Sequence, residues 1–155
     1  MPVATYSIRL LFRGFTINPT VISKTLGLET LRHRRAGGRV PKLDGSPGSH
    51  RSPDSAWGWD TAYYDKRDDE VDHERESASD VLEPRLDERL IAFLEPLLRQ
   101  SSFVRELAAT STAAEIILSF PGQFYFGCDI SPATLSAIAD LGLELGIEIF
   151  PDSAT

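Results

Sequence analysis

The sequence predicts one α+β domain over residues 1–155, in which a largely antiparallel sheet is covered by one long helix and two shorter helices. Three observations predict this class. Apolar residues near both termini alternate with a period of two, as they do in half-buried strands. A leucine-rich stripe with helical spacing lies in the second half of the chain. The predicted strands do not alternate strictly with helices, which favours an antiparallel sheet.

The first predicted strand covers Thr5–Phe12, where apolar residues occupy every second position and Gly14 ends the pattern. A helix is predicted next, because Asn18 can cap it and Pro19 suits its first turn. Gly27 suits the left-handed stop at the end of this helix. Its predicted apolar face consists of Val21, Ile22 and Leu26.

The closing segment repeats this pattern, with Ser131 as the cap, Pro132 in the first turn and Gly142 as the stop. The strand predicted after it is Leu143–Ile149. Both helices end in Leu-Gly-Leu-Glu, which is consistent with an internal duplication of a β–α unit or with the few residue types that cap helices. The apolar face predicted for the second helix consists of Leu135, Ile138, Ala139 and Leu141.

Two hydrophilic segments separate these ends, and both are predicted to be flexible loops. Residues 36–55 are rich in Gly, Pro and Ser. Residues 65–80 contain eight acidic and three basic side chains and almost no apolar residue to bury. The strand predicted between them, "AWGWDTAYY", places Trp57, Trp59 and Thr61 on one face.

The long helix is predicted from a broad apolar stripe, with Pro84 in its first turn and a kink or break near Glu95, before Pro96. A short helix over Ser102–Ala109, capped by a serine, follows. The strands Ala114–Phe120 and Gln123–Ile130 are predicted to form a hairpin around Pro121-Gly122. The stripe consists of Leu82, Leu86, Leu90, Phe93, Leu94, Leu97 and Leu98.

The composition narrows the class of protein. With 16 basic and 23 acidic side chains, the formal net charge is -7, which disfavours nucleic acid as a partner. No apolar run reaches the roughly 20 residues of a membrane helix, and the first residues do not resemble a secretory leader. One cysteine, Cys128, agrees with a reducing compartment. We therefore expect a cytoplasmic protein that is not inserted in a membrane.

No motif for catalysis, cofactor binding or metal binding is found. The sequence has no phosphate-binding loop, no dinucleotide glycine fingerprint and no nucleophile elbow. His33, His50 and His73 lack the spacing of a metal site, and the acidic run lacks the glycine of a calcium loop. Cys128 is interpreted as a small buried hydrophobe. We therefore predict a protein that is not an enzyme and that has no cofactor.

Two groups of residues remain as candidate binding residues. The turn "RHRRAGGR" contributes four arginines, which could hold a protein partner, a phosphate or carboxylate, or the acidic run of the chain itself. The aromatic group could stack on bases, anchor an interface or pack in the core, and we interpret Trp57 and Trp59 as core residues under the long helix. The candidates are Arg32, Arg34, Arg35, Arg39, Trp57, Trp59, Tyr63 and Tyr64.

The function predicted from these groups is a protein-interaction module, comparable to immunity proteins, with an unknown protein as its partner. Arg, Trp and Tyr are the side chains most enriched at binding hot spots. The alternative is a small-anion-binding or catalytic domain that uses the arginine-rich turn.

Five segments occur in a recognisable order: the opening strand before "INPTVISKTLGLE", the turn "RHRRAGGR", the strand "AWGWD", the helix "LDERLIAFLEPLL" and the close "ISPATLSAIADLGLELGIEIF". Together they resemble a bacterial family known as domain of unknown function 4279. The resemblance spans most of the chain except residues 40–54 and 65–80. It implies an α+β domain, and it implies no activity, cofactor or catalytic residue.

Overall fold

A mixed five-stranded sheet forms the centre of the protein, with the strand order β2-β5-β1-β6-β7. The computed structural model describes residues 6–29, 32–34, 39–41, 46–51, 54–63, 78–122 and 128–150. The strands are β1 (Tyr6–Gly14), β2 (Arg32–Arg34), β3 (Arg39–Pro41), β4 (Pro47–Arg51), β5 (Ser55–Tyr63), β6 (Ala113–Pro121) and β7 (Glu144–Phe150). The helices are α1 (Pro19–Leu26), α2 (Ala78–Arg99), α3 (Ser101–Thr110) and α4 (Pro132–Asp140).

Three of the four strand pairs in this sheet are antiparallel, and only β6 and β7 are parallel. The predicted fold class, an α+β domain with a largely antiparallel sheet, is therefore confirmed. Strand β1 lies in the middle, where it pairs with β5 on one side and with β6 on the other. Its buried and less buried residues alternate strictly, so one face of the sheet packs against the helices.

The core lies between this sheet face and the helices. Apolar side chains of all four helices and of the central strands belong to one buried cluster. The fully buried members with the largest side chains are Trp57, Phe12, Ile8, Leu10, Ile22, Leu86, Leu90, Leu94, Leu97, Ile116, Leu118 and Leu141.

The predicted caps of α1 are confirmed. The side chain of Asn18 accepts hydrogen bonds from the backbone N–H groups of Thr20 and Val21, and Pro19 begins the helix. Gly27 ends it with a φ of 68°, a left-handed conformation that favours glycine. Ile22 and Leu26 are buried as predicted. Val21 is exposed, so its assignment to the apolar face was wrong.

Helix α2 differs from its prediction at two prolines and at Leu98, which was assigned to the apolar stripe but is exposed. It begins at Ala78, which places Pro84 in the second turn rather than the first. It also continues without a break through Pro96 as far as Arg99. Burial explains this continuity, because Leu94 and Leu97 on either side of Pro96 are both buried in the core. An ion pair between Arg99 and Glu95 spans the same turn.

Helix α3 also differs from its prediction. It begins at Ser101, after Gln100, and the side chain of Gln100 makes no capping hydrogen bond. The predicted serine cap was therefore wrong. The helix is held instead by Val104 and Leu107, which are buried against the sheet and α2.

The predicted hairpin around Pro121-Gly122 was also wrong. Strand β6 already has β1 on one edge and β7 on the other, so neither edge is left for a hairpin partner. Residues 128–130 are not in a strand, and residues 123–127 lie outside the described residues. Cys128 is partly buried against the core, as expected for a small hydrophobe, although the strand predicted for it is absent.

The loop predicted over residues 36–55 contains regular structure. Strands β3 and β4 pair with each other in a separate two-stranded antiparallel sheet. The loop assignment was therefore wrong for Arg39–Pro41 and Pro47–Arg51. Of the loop predicted over residues 65–80, residues 78–80 begin α2 and the remainder lies outside the described residues.

Helix α4 begins and ends much as predicted. The side chain of Ser131 accepts a hydrogen bond from the backbone N–H of Thr134, and Gly142 follows with a φ of 74°. Ile138 and Leu141 are buried. Leu135 and Ala139 are exposed, so their assignment to the apolar face was wrong.

The shared pattern of α1 and α4 extends to their caps but not to their surroundings. Both helices contribute buried residues to the same core, and therefore both cover the same sheet face. Helix α1 follows a central antiparallel strand, whereas α4 precedes an outer parallel strand. The internal duplication stays a prediction.

The N-terminus of α4 is joined to α2 through Asp87. The backbone N–H of Ser131 donates to Oδ1 of Asp87 at 2.9 Å. Burial by itself raises the pKa of Asp87, but hydrogen bonds from the Ser131 backbone and from the Thr134 and Ser131 hydroxyl groups outweigh this effect. The pKa of Asp87 therefore lies below its ordinary value.

This lowered pKa predicts how stability depends on pH. Asp87 stabilises the fold above its unfolded pKa of about 3.9, and this contribution is lost as the pH falls through the lower folded pKa. We expect Asp87→Asn to reduce the free energy of unfolding at pH 7 by about 1 kcal/mol and to flatten its decline in acid. Urea unfolding between pH 7 and pH 3 measures both effects. The exposed neighbour substitution Glu88→Gln serves as control; an equal loss in both variants would contradict the assignment.

Candidate functional site

The sheet has a second face that carries polar residues, and no described helix contributes to a core on that side. We call it the polar face. Its residues alternate along the strands with those of the core. Its members on the four longest strands include Ser7, Arg9, Leu11 and Arg13 of β1, Ala56, Gly58, Asp60 and Ala62 of β5, Ala113, Glu115, Ile117 and Ser119 of β6, and Glu144, Gly146, Glu148 and Phe150 of β7.

Arginines gather at one corner of this sheet because of the strand register. Ala56 of β5 pairs with Arg13 of β1 on one side and with Arg34 of β2 on the other. Neighbouring strands lie about 4.8 Å apart, so the Cα atoms of the two arginines are about 10 Å apart with a methyl group between them.

The neighbouring row of paired residues, two positions along β5, also has a small residue in the middle and an arginine on β2. Gly58 pairs with Leu11 of β1 and with Arg32 of β2. Two small residues of β5, Ala56 and Gly58, therefore separate the arginine positions of β2 from β1. We call the positions of Arg9, Arg13, Arg32 and Arg34 the arginine corner.

Arg13 is held in place by an ion pair. Its Nε lies 3.4 Å from Oδ2 of Asp54, whose side chain is nearly buried, whereas the arginine side chain is about half exposed. Within the described part of the chain, no hydrogen bond to the terminal Nη atoms of Arg13 is found. The ion pair therefore orients the guanidinium group and leaves its outer N–H groups available to an acceptor.

Arg9, four residues before Arg13 on β1, has an unsatisfied donor. Its Nε is buried and has no hydrogen-bond partner among the described residues. Asp60 of β5 and Ile117 of β6 are its direct neighbours in the register. A buried N–H group without a partner is unfavourable by about 1–3 kcal/mol, so the guanidinium group of Arg9 has unmet hydrogen-bonding capacity on the polar face.

The opposite side of the polar face carries carboxylates. Glu115 of β6 pairs with Glu144 of β7, and Glu148 accepts a hydrogen bond of 3.1 Å from the hydroxyl of Ser119. The polar face is therefore basic toward β2 and acidic toward β7. Such a division of charge can orient a partner of complementary charge as well as attract it.

The structure places the predicted tryptophans in the core. Trp57 is completely buried, donates a hydrogen bond of 2.9 Å from Nε1 to the Ser23 hydroxyl, and contacts the ring of Phe12. The ring of Trp59 stacks on Phe93 of α2 with the ring centroids 4.3 Å apart. The interpretation of Trp57 and Trp59 as core residues therefore fits the structure, and Trp57 cannot contact a partner.

The other predicted residues are dispersed. Arg32 and Arg34 lie in β2, Tyr63 pairs with Tyr6 at the end of β5, and Arg39 of β3 pairs with Arg51. Arg35 and Tyr64 lie outside the described residues. Sequence reasoning missed Arg9 and Arg13, which occupy ordinary polar positions of an alternating strand. Only the strand register relates them to Arg32 and Arg34.

No catalytic set is found among the described residues. His33 pairs with Trp57 in the register, His50 lies in β4, and His73 lies outside the described residues. The described ranges contain no group of three or more His, Cys, Asp and Glu side chains that could hold a metal ion. None of the described helices is both long and apolar enough to span a bilayer.

Comparisons with protein-family models, with curated proteins and with solved structures found no match to this chain. The resemblance to domain of unknown function 4279 therefore stays a prediction.

Proposed function

We propose that this protein is an interaction module that binds acidic groups of a partner protein at its arginine corner. The observation that carries the proposal is the row in which Arg13 and Arg34 lie on either side of Ala56. Guanidinium groups bind carboxylates through paired hydrogen bonds, which gives strength and geometric selectivity. A residue as small as alanine between them leaves room for an incoming side chain.

Two properties of β1 support this proposal. The ion pair with Asp54 fixes Arg13 before any partner arrives, which reduces the entropy lost on binding. Arg9 adds a second positive charge on the same face of β1, four residues from Arg13.

The distribution of charge favours a protein over a free anion. A net charge of -7 repels small multivalent anions over long distances. A partner protein with surfaces of both signs can place carboxylates on the arginine corner and basic groups on Glu115 and Glu144. The exposed members of the polar face include Arg13, Asp60 and Glu144 and lie on three strands, whereas Ile117 and Ser119 of β6 are buried.

The proposal is tested by reversing charge at the arginine corner. The wild-type protein, the double variant Arg32→Glu/Arg34→Glu and the control Arg105→Glu are used to capture partners from the native host. Arg105 is exposed on α3, away from the polar face. We expect partners that bind the wild type and the control to be lost from the double variant. Retention of the same partners by all three proteins would refute the proposal.

The second candidate function is binding of a small anion, and the buried Nε of Arg9 is the observation that favours it. Inorganic phosphate and citrate serve as probes in thermal unfolding of the wild type and of Arg9→Gln. If either anion raises the Tm of the wild type but not of the variant, and no partner is captured, anion binding replaces protein binding as the function.

A further inference from the structure

Strand β7 forms an outer edge of the five-stranded sheet and exposes apolar side chains. Only β6 lies beside it among the described strands. Ile147 is 61% exposed and Ile149 is 68% exposed, and Phe150 is exposed as well. Proteins usually protect such edges with charged residues, prolines or very short strands, because a bare edge pairs readily with another strand.

The backbone geometry identifies which groups of β7 face outward. The N–H of Gly122, just after β6, donates to the carbonyl oxygen of Phe150 at 2.6 Å. The backbone groups of Phe150 therefore point toward β6, and by alternation so do those of Glu148 and Gly146. The N–H and C=O groups of Leu145, Ile147 and Ile149 consequently point away from β6 and toward the free edge.

The same residues form an apolar strip on one face. In the parallel register, Ile147 pairs with Leu118 and Ile149 pairs with Phe120, both of which belong to the core. Ile147 and Ile149 therefore share the helix-covered side of the sheet, but they lie beyond the cover that the helices provide. Free backbone groups and exposed apolar side chains thus coincide at alternate residues of one strand.

We propose that β7 pairs antiparallel with β7 of a second copy of this chain, about a twofold axis at Ile147. Ile147 then lies opposite itself, and Leu145 of each copy lies opposite Ile149 of the other. The Ile147 pair and the two symmetry-related pairs of Leu145 with Ile149 are all hydrogen-bonded pairs. Together they supply about six backbone hydrogen bonds. The two sheets become one continuous sheet, and the apolar strip of each copy extends that of the other.

The charge pattern of β7 selects this register and argues for a second copy as the occupant. With the axis at Ile147, Glu148 lies opposite Gly146, and Glu144 lies opposite Phe150. An axis at Gly146 would place Glu144 opposite Glu148, and an axis at Glu148 would place that residue opposite itself. Like charges directly opposite one another destabilise a strand pair. The strand is therefore complementary to itself, as a twofold interface requires.

The interface is small, so we expect a weak dimer. Pairing of a single edge strand buries less than the roughly 1,200 Å² of standard stable interfaces. Each copy also carries a net charge of -7, which opposes association at low ionic strength. The dimer should therefore strengthen as salt is added, in contrast to a complex between oppositely charged partners.

Disulfide cross-linking tests the register in the full-length chain with Cys128→Ala. Opposed residues of a hydrogen-bonded pair have Cα atoms about 5.5 Å apart, within the range of about 4.4–6.8 Å for disulfides. We expect Ile147→Cys to form a covalent dimer under mild oxidation. Ile149→Cys serves as the matched control, because its two copies would be about 14 Å apart. Equal cross-linking of the two variants would overturn the proposal.

Sedimentation velocity tests association without a cross-link. The wild type should form a fraction of dimer that rises with protein concentration and with sodium chloride. The Ile147→Lys variant should remain monomeric, because the substitution places the lysines of the two copies, which carry like charges, opposite one another at the twofold axis. Val21→Lys, at an exposed apolar position on α1, should dimerise like the wild type. A wild type that is monomeric at all concentrations and salts, or equal loss in both variants, would contradict pairing through β7.

Discussion

Replacing Trp57 with alanine is expected to lower the free energy of unfolding by about 3–5 kcal/mol. The indole is completely buried between the sheet and the helices, where it contacts the ring of Phe12. Its removal leaves a cavity in the core, because the surrounding structure relaxes only partially around a deleted side chain. It also leaves the Ser23 hydroxyl without its hydrogen bond from Nε1.

Urea unfolding followed by circular dichroism measures this effect, and Ser23→Ala separates its two parts. Loss of the hydrogen bond alone should destabilise by about 1–3 kcal/mol, because the indole N–H is left unsatisfied. Trp57→Phe keeps most of the ring volume and should be less destabilising than Trp57→Ala. A loss below about 1 kcal/mol for Trp57→Ala would show that this side chain does not fill the core.

Replacing Leu90 with alanine is expected to lower the free energy of unfolding by about 2–5 kcal/mol. Leu90 lies in the middle of α2, has 0% exposure and belongs to the buried cluster that joins the helices to the sheet. The next residue, Ile91, is 46% exposed and provides a matched control on the same helix turn. Ile91→Ala should change stability by less than about 0.5 kcal/mol. Similar losses for the two variants in urea would mean that the buried face of α2 is assigned incorrectly.

Features that depend on near neighbours in the chain could be predicted from the sequence. The caps at Asn18 and Ser131 and the left-handed glycines Gly27 and Gly142 all follow from local hydrogen bonds and local sterics. The alternation of apolar residues that predicted β1 and the leucine-rich stripe that predicted α2 also depend only on near neighbours in the chain. The residue at which a helix ends was harder to predict, because burial in the core and not the local sequence decided that α2 continues through Pro96.

Exposure of single apolar residues could not be predicted. Val21 and Leu135 have the right spacing for a buried face, yet both are exposed. Helical periodicity fixes the direction of an apolar stripe only to within a residue or so on either side. The neighbouring elements then decide which members of the stripe are covered.

Pairing between distant strands was the main source of error. The Pro121-Gly122 sequence is a good local signal for a hairpin, but β6 is occupied on both edges by strands from other parts of the chain. The arginine corner was not predicted for the same reason, because it also arises from pairing between distant strands. Arg13 and Arg34 are related only through their shared partner Ala56, and no spacing along the chain encodes that relation.

The central position of β1 has a consequence for how the chain folds during synthesis. Its partners in the sheet are made about 50 and about 110 residues after it. Until β6 leaves the ribosome, the apolar side of β1 cannot be enclosed by its native neighbours. The domain should therefore complete its folding late and cooperatively. Incomplete chains that stop before β6 should depend on chaperones to avoid aggregation.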